Sequence, residues 1–578
     1  MKQKLKALIC LLLAALLVGC SAAENGSETE SGKESAVNTE AELPADETTD
    51  PAAAPENEEE VTDGTDGTAA TGLIPKGRTA KTVCRVPEPS SYSDKLTVAS
   101  LEGLAARLSD DQILIQGGGA FELYLPYLKS EWGAEVGSRI GGKAASLKNL
   151  LEHYTDIVKG YVLCSSDSSS PSVSVAISVA GLLDAVVVTP ENVSVAEKAG
   201  YTCLLDATDK NDRWLRSSEY FDRLNRKVAF EQPSSMAPKL VDYAVMCGAY
   251  FGFYDGHTKQ GHTAQYRFLE PGAVVFGYNN TLGERETVQS FSSLNVQMVP
   301  ADHAYNLSTL SGFPLDSITQ KRSEETVSET PAAVHTVTFL MSDGDNIQWV
   351  LNNFATSSEW FGSKKRGKFP MGWGISPSSV DVMPPMLSYL YDAMTEKDEF
   401  VMQLSGVGYT FPSRWDAEAR REMTAEVARR MRRLDLHYAE ILDDGGFTEE
   451  VMADYTAEDA IDGLFYIDYS HYAGMKGKII WTNGKPAVSA RYYMWADKPD
   501  GQLSYIARKV NAAPTDPTDE NSYSFIILNV WSGLNGGKLV AHGNTMDAVA
   551  ELIGQFGDQV EVVSPTVFMD RLIANCGK

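Results

Sequence analysis

From residue 334 to the carboxyl terminus, short runs of β-branched and aromatic residues alternate with polar stretches that carry helical spacing. The runs are Val337–Ser342, Phe369–Ile375, Phe400–Ser405, His437–Leu442, Leu464–Tyr469, Lys478–Trp481, Ser524–Val530 and Gln559–Val563, each short and apolar enough to be a buried strand. Helices are predicted between them at Met386–Met394, Ala417–Arg433, Leu503–Val510 and Thr545–Phe556. In Ala417–Arg433, Glu and Arg residues stand three or four apart on an exposed face, where they support one another. Seven or eight strand–helix units over about 245 residues predict a TIM-barrel-like domain at 334–578, with a doubly wound open sheet as the alternative.

Residues 80–315 read as a mixed α/β region. Leu101–Leu108 has helical spacing and leads into the strand Gln112–Gln116; Ala185–Thr189, Val195–Gly200 and Thr202–Leu205 repeat that rhythm. Gly117-Gly-Gly119 lacks the spacing of a dinucleotide fingerprint and reads as a loop. Glu284, Glu286 and the segment Asp302–Asn306 follow a further strand, Ala273–Tyr278, and read as solvated loop residues rather than as the lining of a cleft. The polar run Gln320–Pro331 has no apolar period and marks a boundary within 312–333.

Candidate chemistry gathers at strand ends of the second region. The apolar run from Val337 stops at Asp343-Gly344-Asp345-Asn346, and in barrel and open α/β folds chemistry sits past the carboxyl ends of strands. A helix cap on Asp345 or Asn346 with a bend at Gly344 is the structural alternative. Residues two apart on a strand share a face. Tyr466 and Asp468 therefore oppose Phe465 and Ile467, Glu440 opposes Ala439 and Ile441, Gln403 opposes Met402 and Leu404, and Asn529 and Trp531 oppose Leu528 and Val530. Several strands so appointed aim polar groups into one mouth, where a purely structural interior would hold Val, Ile and Leu.

The amino terminus sets the compartment. A basic start, an apolar stretch from Ala7 to Val18 and the sequence Leu17-Val-Gly-Cys20 form an export signal (1–19) too short to span a membrane. The sequence around Cys20 resembles a bacterial lipobox, which implies a lipidated Cys20, a membrane anchor and exposure on the cell surface or envelope. Residues 20–75 read as a disordered tether: Ser21–Pro75 holds 15 Asp/Glu and one Lys, half of the chain's net −28. The folded part has no basic patch, which argues against nucleic acid. Cys84, Cys164, Cys203, Cys247 and Cys576 are odd in number and widely spaced, so they predict neither a zinc site nor a disulfide framework.

Gly406-Val-Gly-Tyr-Thr-Phe-Pro412 resembles the signature of the GxGYxYP glycoside hydrolase family. The chain departs from it at Phe411, where the signature has Tyr, so a ring is offered there without a hydroxyl. Ser342–Asn346 and Asp302–Ser308 also resemble segments of that family. The resemblance implies a TIM-barrel-like carboxyl domain behind an α/β region, and a carbohydrate substrate. Glycosidic cleavage uses two carboxyl groups, one to protonate the leaving oxygen and one to activate water or attack the anomeric carbon. Asp343 paired with Asp468 is the first expectation, with Asp345 tuning the acid and Glu440 as the alternative partner; Asp443-Asp444 doubles as an ordinary turn. Asn346, Trp373, Gln403, Tyr409, Asp444, Asn529 and Trp531 are the candidates for binding sugar, the aromatic rings by packing on C–H faces. No cofactor or metal is called for: His437, His471 and His542 are scattered, which weighs against a metal-dependent deacetylase. A non-catalytic glycan-binding lipoprotein is the other alternative.

Overall fold

The short apolar runs of the first region pair into three small parallel sheets in the computed structural model, which describes residues 72–321, 330–470, 475–494, 503–530 and 544–577. The first sheet joins β1 (Thr82–Pro87), β2 (Asp111–Gln116) and β3 (Glu135–Gly137) in the order β2-β1-β3, followed by a two-stranded hairpin of β4 (Arg139–Ile140) and β5 (Lys143–Ala144). The second joins β6 (Gly160–Leu163), β7 (Ala185–Val188) and β8 (Cys203–Asp206) in the order β7-β6-β8. The third joins β9 (Asn225–Glu231), β10 (Ala249–Gly252), β11 (Val274–Gly277) and β12 (Gln297–Val299) in the order β10-β9-β11-β12. A long helix, Tyr92–Leu108, is capped by Ser91, whose hydroxyl accepts from the Asp94 N–H.

One ten-stranded sheet organises the second region. Its strands are β13 (His335–Met341), β14 (Met371–Ile375), β15 (Asp398–Met402), β16 (Tyr438–Asp443), β17 (Gly463–Asp468), β18 (Ile479–Thr482), β19 (Lys485–Ser489), β20 (Tyr492–Met494), β21 (Tyr523–Leu528) and β22 (Val560–Val562). Their order is β18-β19-β17-β16-β15-β14-β13-β21-β20, with β22 also paired to β13. Every ladder is parallel except β18–β19. All eight predicted strands are present, and the helix Ala417–Arg433 has the bounds that its pattern predicts. β19 and β20 are additions that the hydrophobic pattern does not show. Among the described residues no ladder joins β18 to β20, so the sheet is a curled half-barrel with helices rather than the closed ring expected from the strand count.

The two faces of this sheet have separate cores. Leu340, Val401, Tyr438, Phe465, Ile467, Phe525 and Ile527 pack on Phe568, Met569 and Leu572 of the carboxyl-terminal helix Pro565–Cys576. Phe339, Met341, Phe400, Met402, Ala439, Ile441, Leu464 and Tyr466 belong to the main core on the opposite face. At the top of the first face the alternation continues into Gln403 and Glu440. Among the described residues, Cys84, Cys164, Cys203 and Cys247 are free thiols.

Candidate functional site

β13 runs directly into Ser342–Asn346, where Asp343 adopts a left-handed backbone, φ 68°. Asp tolerates that region better than most residues, at a cost on the order of 1 kcal/mol. The Ser342 hydroxyl donates to Asp343 Oδ2. Gly344 is dictated by space: a Cβ there would lie 1.7 Å from the carbonyl oxygen of Gly374 on β14. Gly374 is dictated in turn, because its Cβ would lie 1.6 Å from Gln403 Oε1. The fully buried Gln403 amide fills the room the two glycines leave. Its oxygen accepts from the Gly344 N–H (3.0 Å), and its nitrogen donates to the Met341 carbonyl (3.1 Å) and to Glu440 Oε2 (2.7 Å). One side chain thus ties the ends of β13, β15 and β16 together.

Beside it, Asn346 Nδ2 donates to Asp345 Oδ1 (3.2 Å). Asn346 is the residue that starts the short helix Ile347–Val350, yet its side chain makes no capping bond and turns to Asp345 instead. The capping alternative for this turn is therefore not what its side chains do.

The signature segment is the seam between the two regions. Tyr409 and Met298 exchange backbone hydrogen bonds of 2.6 and 3.0 Å, an isolated bridge beside β12. Ser292, at the end of the helix Glu284–Ser292, meets the Thr410 hydroxyl (2.9 Å) and accepts from the Phe411 N–H (2.9 Å). Phe411 is fully buried, edge-on to Tyr409 and Tyr469, so the departure from the signature leaves its packing intact. Tyr409 itself donates its phenol proton to Glu284 Oε1 (3.0 Å). Glu284, read from sequence as a solvated loop residue, is brought to the Asp343 cluster in this way. Nothing near Glu284 in the chain signals that placement; the signal lies more than a hundred residues on, in Tyr409.

Four carboxyl groups now share one neighbourhood. Burial pushes Asp345 well above the usual carboxylate range, and the charges of Asp343 and Glu284 add to the push. Burial does the same to Glu440, helped by Asp345 and Asp343 and opposed by the Gln403 hydrogen bond. Glu284 is raised by burial and by Asp343, against the Tyr409 hydrogen bond. Asp343 is the one carboxyl that all three feel, and it is partly exposed. Among the described residues no three His, Cys, Asp or Glu side chains are placed to hold a metal ion.

The raised Glu440 has a consequence for stability. A carboxyl whose folded pKa exceeds its unfolded value of about 4.3 stabilises the fold fully below that pH, and loses the contribution as pH rises through the folded value. Glu440→Gln keeps an acceptor for Gln403 without the buried charge. Its melting temperature is expected to match wild type near pH 4 and to exceed it near pH 8. Parallel melting curves across that range would count against this account.

Other predicted residues are placed elsewhere. Cα register pairs Glu440 with Phe465 and Asp443 with Asp468, so Asp468 faces away from Glu440 and Gln403. Its oxygens accept from the N–H groups of Gly445 (3.1 Å) and Ser470 (2.9 Å), from the Tyr466 phenol (3.3 Å) and from the Ser470 hydroxyl, which fastens loops. Trp373 cannot stack on a sugar: it is fully buried between Phe354 and Phe361, with its N–H on Asp398 (2.9 Å). Tyr409 is buried too, and acts through its hydroxyl rather than its ring face. Asp444 is taken up by Arg285, Arg414 and Gln289 at the seam (2.8, 3.2 and 2.7 Å), which removes it as a sugar contact. Asn529 is half-buried and follows β21 directly, at the same end as Ser342. Trp531 and Cys20, with the signal and most of the tether, lie outside the described residues. Asp302 and His303, also read as loop, sit at the seam: burial raises Asp302 to about 7, and His303 stacks on the half-buried Trp349 at 5.6 Å.

Comparison with known proteins covers nearly all of this architecture. Residues 333–572 match the family described as "GxGYxYP putative glycoside hydrolase C-terminal domain". Residues 158–224 match the second and 226–312 the third of that family's amino-terminal domains. A crystal structure described as a putative hydrolase from Bacteroides thetaiotaomicron VPI-5482 superposes with a TM-score of 0.77 at 29% identity, covering 88% of this chain and 98% of that one. A 4-alpha-glucanotransferase from Thermococcus litoralis gives a TM-score of 0.28 at 12% identity over 42% of this chain and 41% of its own. No curated protein matches.

Proposed function

The chain belongs to the GxGYxYP family of glycoside hydrolases, and from that premise we propose that it cleaves a glycosidic bond of a poly- or oligosaccharide at the Asp343 cluster. The observation that carries the reading is the gathering of four carboxyl groups at one turn: Gln403 ties Gly344, between Asp343 and Asp345, to Glu440, and Tyr409 holds Glu284 beside them. Neighbouring carboxyls whose environments push them apart divide into an acid and a base. In this reading Asp343 is the charged carboxylate that activates water or attacks the anomeric carbon. Glu284, partly exposed and held towards its protonated form, delivers the proton to the leaving oxygen. Asp345 and Glu440 lie deeper, and burial holds both towards their protonated forms. The half-barrel presents Asp343 and Asp345 past the carboxyl end of β13, as the mouth of a TIM barrel would. The lipobox-like Leu17–Cys20 supports a chain tethered outside the cell.

Intact washed cells carrying the chain are expected to release sugar from a glycan panel, and Cys20→Ala should move that activity into the medium. Because Glu284 must hold its proton, the rate should fall as pH rises through its raised value. Glu284→Gln should lose about 10²–10⁴-fold on natural glycans and lose the alkaline limb, with much less loss on aryl glycosides whose leaving group needs no proton. No product from any glycan would sink the hydrolase reading; an unaltered profile in Glu284→Gln would remove Glu284 as the acid.

A further inference from the structure

A second site lies in the amino-terminal region, away from the carboxyl cluster. A cavity of about 120 Å³ is enclosed by the helix Tyr92–Leu108, the segment before the helix Val241–Cys247, and Ala304–Asn306. That last segment is one the sequence singles out and the proposed reaction does not use. The cavity opens between the exposed residues Glu88 and Ser235, and its volume approaches the about 150 Å³ that accepts a six-atom ring.

Its two ends have opposite chemistry. At the base is Glu102, only 1% exposed, and neither of its carboxyl oxygens has a hydrogen-bond partner. Asp242 stands beside it, 4% exposed, with one oxygen already accepting from the Ser308 N–H (3.0 Å) and hydroxyl (2.8 Å). At the mouth, Lys239 lies 3.0 Å from the centre of the Tyr305 ring, and among the described residues no carboxylate pairs with it. Tyr305 in turn donates to Glu88 Oε1 (3.3 Å), which also holds Lys95 (2.9 Å). Between the ends the walls are alkyl groups such as Ile115 and Met236.

A carboxyl group buried without a partner is costly, and a buried helix has no structural use for one. Two acidic groups at the base and, beside the Glu88–Lys95 ion pair at the mouth, the Lys239 ammonium are complementary to a molecule with its positive end inside and its negative end outside. The geometry points to a binding site for a small zwitterion, an amino acid of glycine or alanine size, with its ammonium on Glu102 and Asp242 and its carboxylate at Lys239. A ligand with only one of the two charges would leave either the base or the mouth unsatisfied.

Calorimetric titration of the full chain separates the possibilities. Glycine or alanine is expected to bind saturably with a Kd of about 1 mM or tighter. Methylammonium and acetate, each supplying one end, should bind at least tenfold more weakly. Glu102→Gln and Lys239→Met should each weaken alanine at least tenfold; Lys239 is at the rim, so its variant serves if the buried one does not fold. Absence of saturable binding by either amino acid overturns the site. So does methylammonium binding as tightly as alanine, or undiminished alanine binding in Lys239→Met. Because the readout is binding, the result is independent of whether the chain proves to be a glycosidase.

Discussion

Replacing Asp343 with Asn is expected to lower kcat/KM on any glycan the protein cleaves by at least about a thousandfold while the fold is kept. The substitution is nearly isosteric. Asn also tolerates the left-handed backbone found at this position, and the side-chain oxygen can still accept from Ser342. What is removed is the charge that Glu284, Asp345 and Glu440 all feel. Two readouts should therefore move together. The rate collapses, and the alkaline limb of the residual activity shifts to lower pH, because Glu284 loses a neighbour that opposed its ionisation. Glycan binding, measured separately, should survive. Asp468→Asn is the companion measurement: its side chain faces the other side of the sheet and fastens Gly445 and Ser470. It should stay within a few-fold of wild type in kcat/KM. Large losses in both variants would restore the pair suggested by strand alternation, and a large loss in Asp468→Asn with a small one in Asp343→Asn would overturn the assignment made from the structure.

That reversal shows what hydrophobic patterning can and cannot deliver. Alternation separates the two faces of a strand but does not say which turns inward. On β16 and β15 the polar positions Glu440 and Gln403 share a face, as read. On β17 both faces are buried, and the register with β16 puts Phe465, not Tyr466, beside Glu440. The same limit applies to aromatic residues: Trp373 lies at the middle of β14, on the face of the main core, and belongs to that core. β19 and β20 escape notice because Lys485–Ser489 and Tyr492–Met494 are short and carry little periodic apolar signal. Their arrangement decides where the sheet ends, so strand counting alone cannot separate a half-barrel from a closed one. The signature Gly406–Pro412 is legible as a motif, but its work is long-range. It pairs with Met298 and Ser292 and holds Glu284 through Tyr409, contacts that link residues over a hundred positions apart. The Asp343–Asn346 turn is the part best seen from sequence, because a strand, a glycine and two acids at its end are all local.

Gly374→Ala is expected to disable the same site without touching an ionisable group. The added methyl carbon would lie 1.6 Å from Gln403 Oε1 and 1.9 Å from its amide carbon, so the amide must leave its place. Gly374 cannot retreat easily, since its own carbonyl is already in close contact with Gly344. Three hydrogen bonds then break together: Gly344 N–H to Gln403, Gln403 to the Met341 carbonyl, and Gln403 to Glu440. Glu440 is left buried without its donor and is driven further towards its protonated form. Asp343 and Asp345, on either side of Gly344, lose the anchor that fixes their turn. Overpacking in a close-packed interior costs about 1–3 kcal/mol, and the orphaned polar groups add about 1–3 kcal/mol. A fall in melting temperature of several degrees should accompany a rate loss of about a hundredfold, the size expected when a catalytic group is displaced by about 1 Å. Gly374→Ala with a truncation at the facing side chain, Gln403→Ala, tests the cause. If the clash alone is responsible, the double variant should recover stability relative to Gly374→Ala but not activity, because Gln403 is what positions the turn. Full activity in Gly374→Ala would mean that the bridge through Gln403 does not set the geometry of the carboxyl cluster.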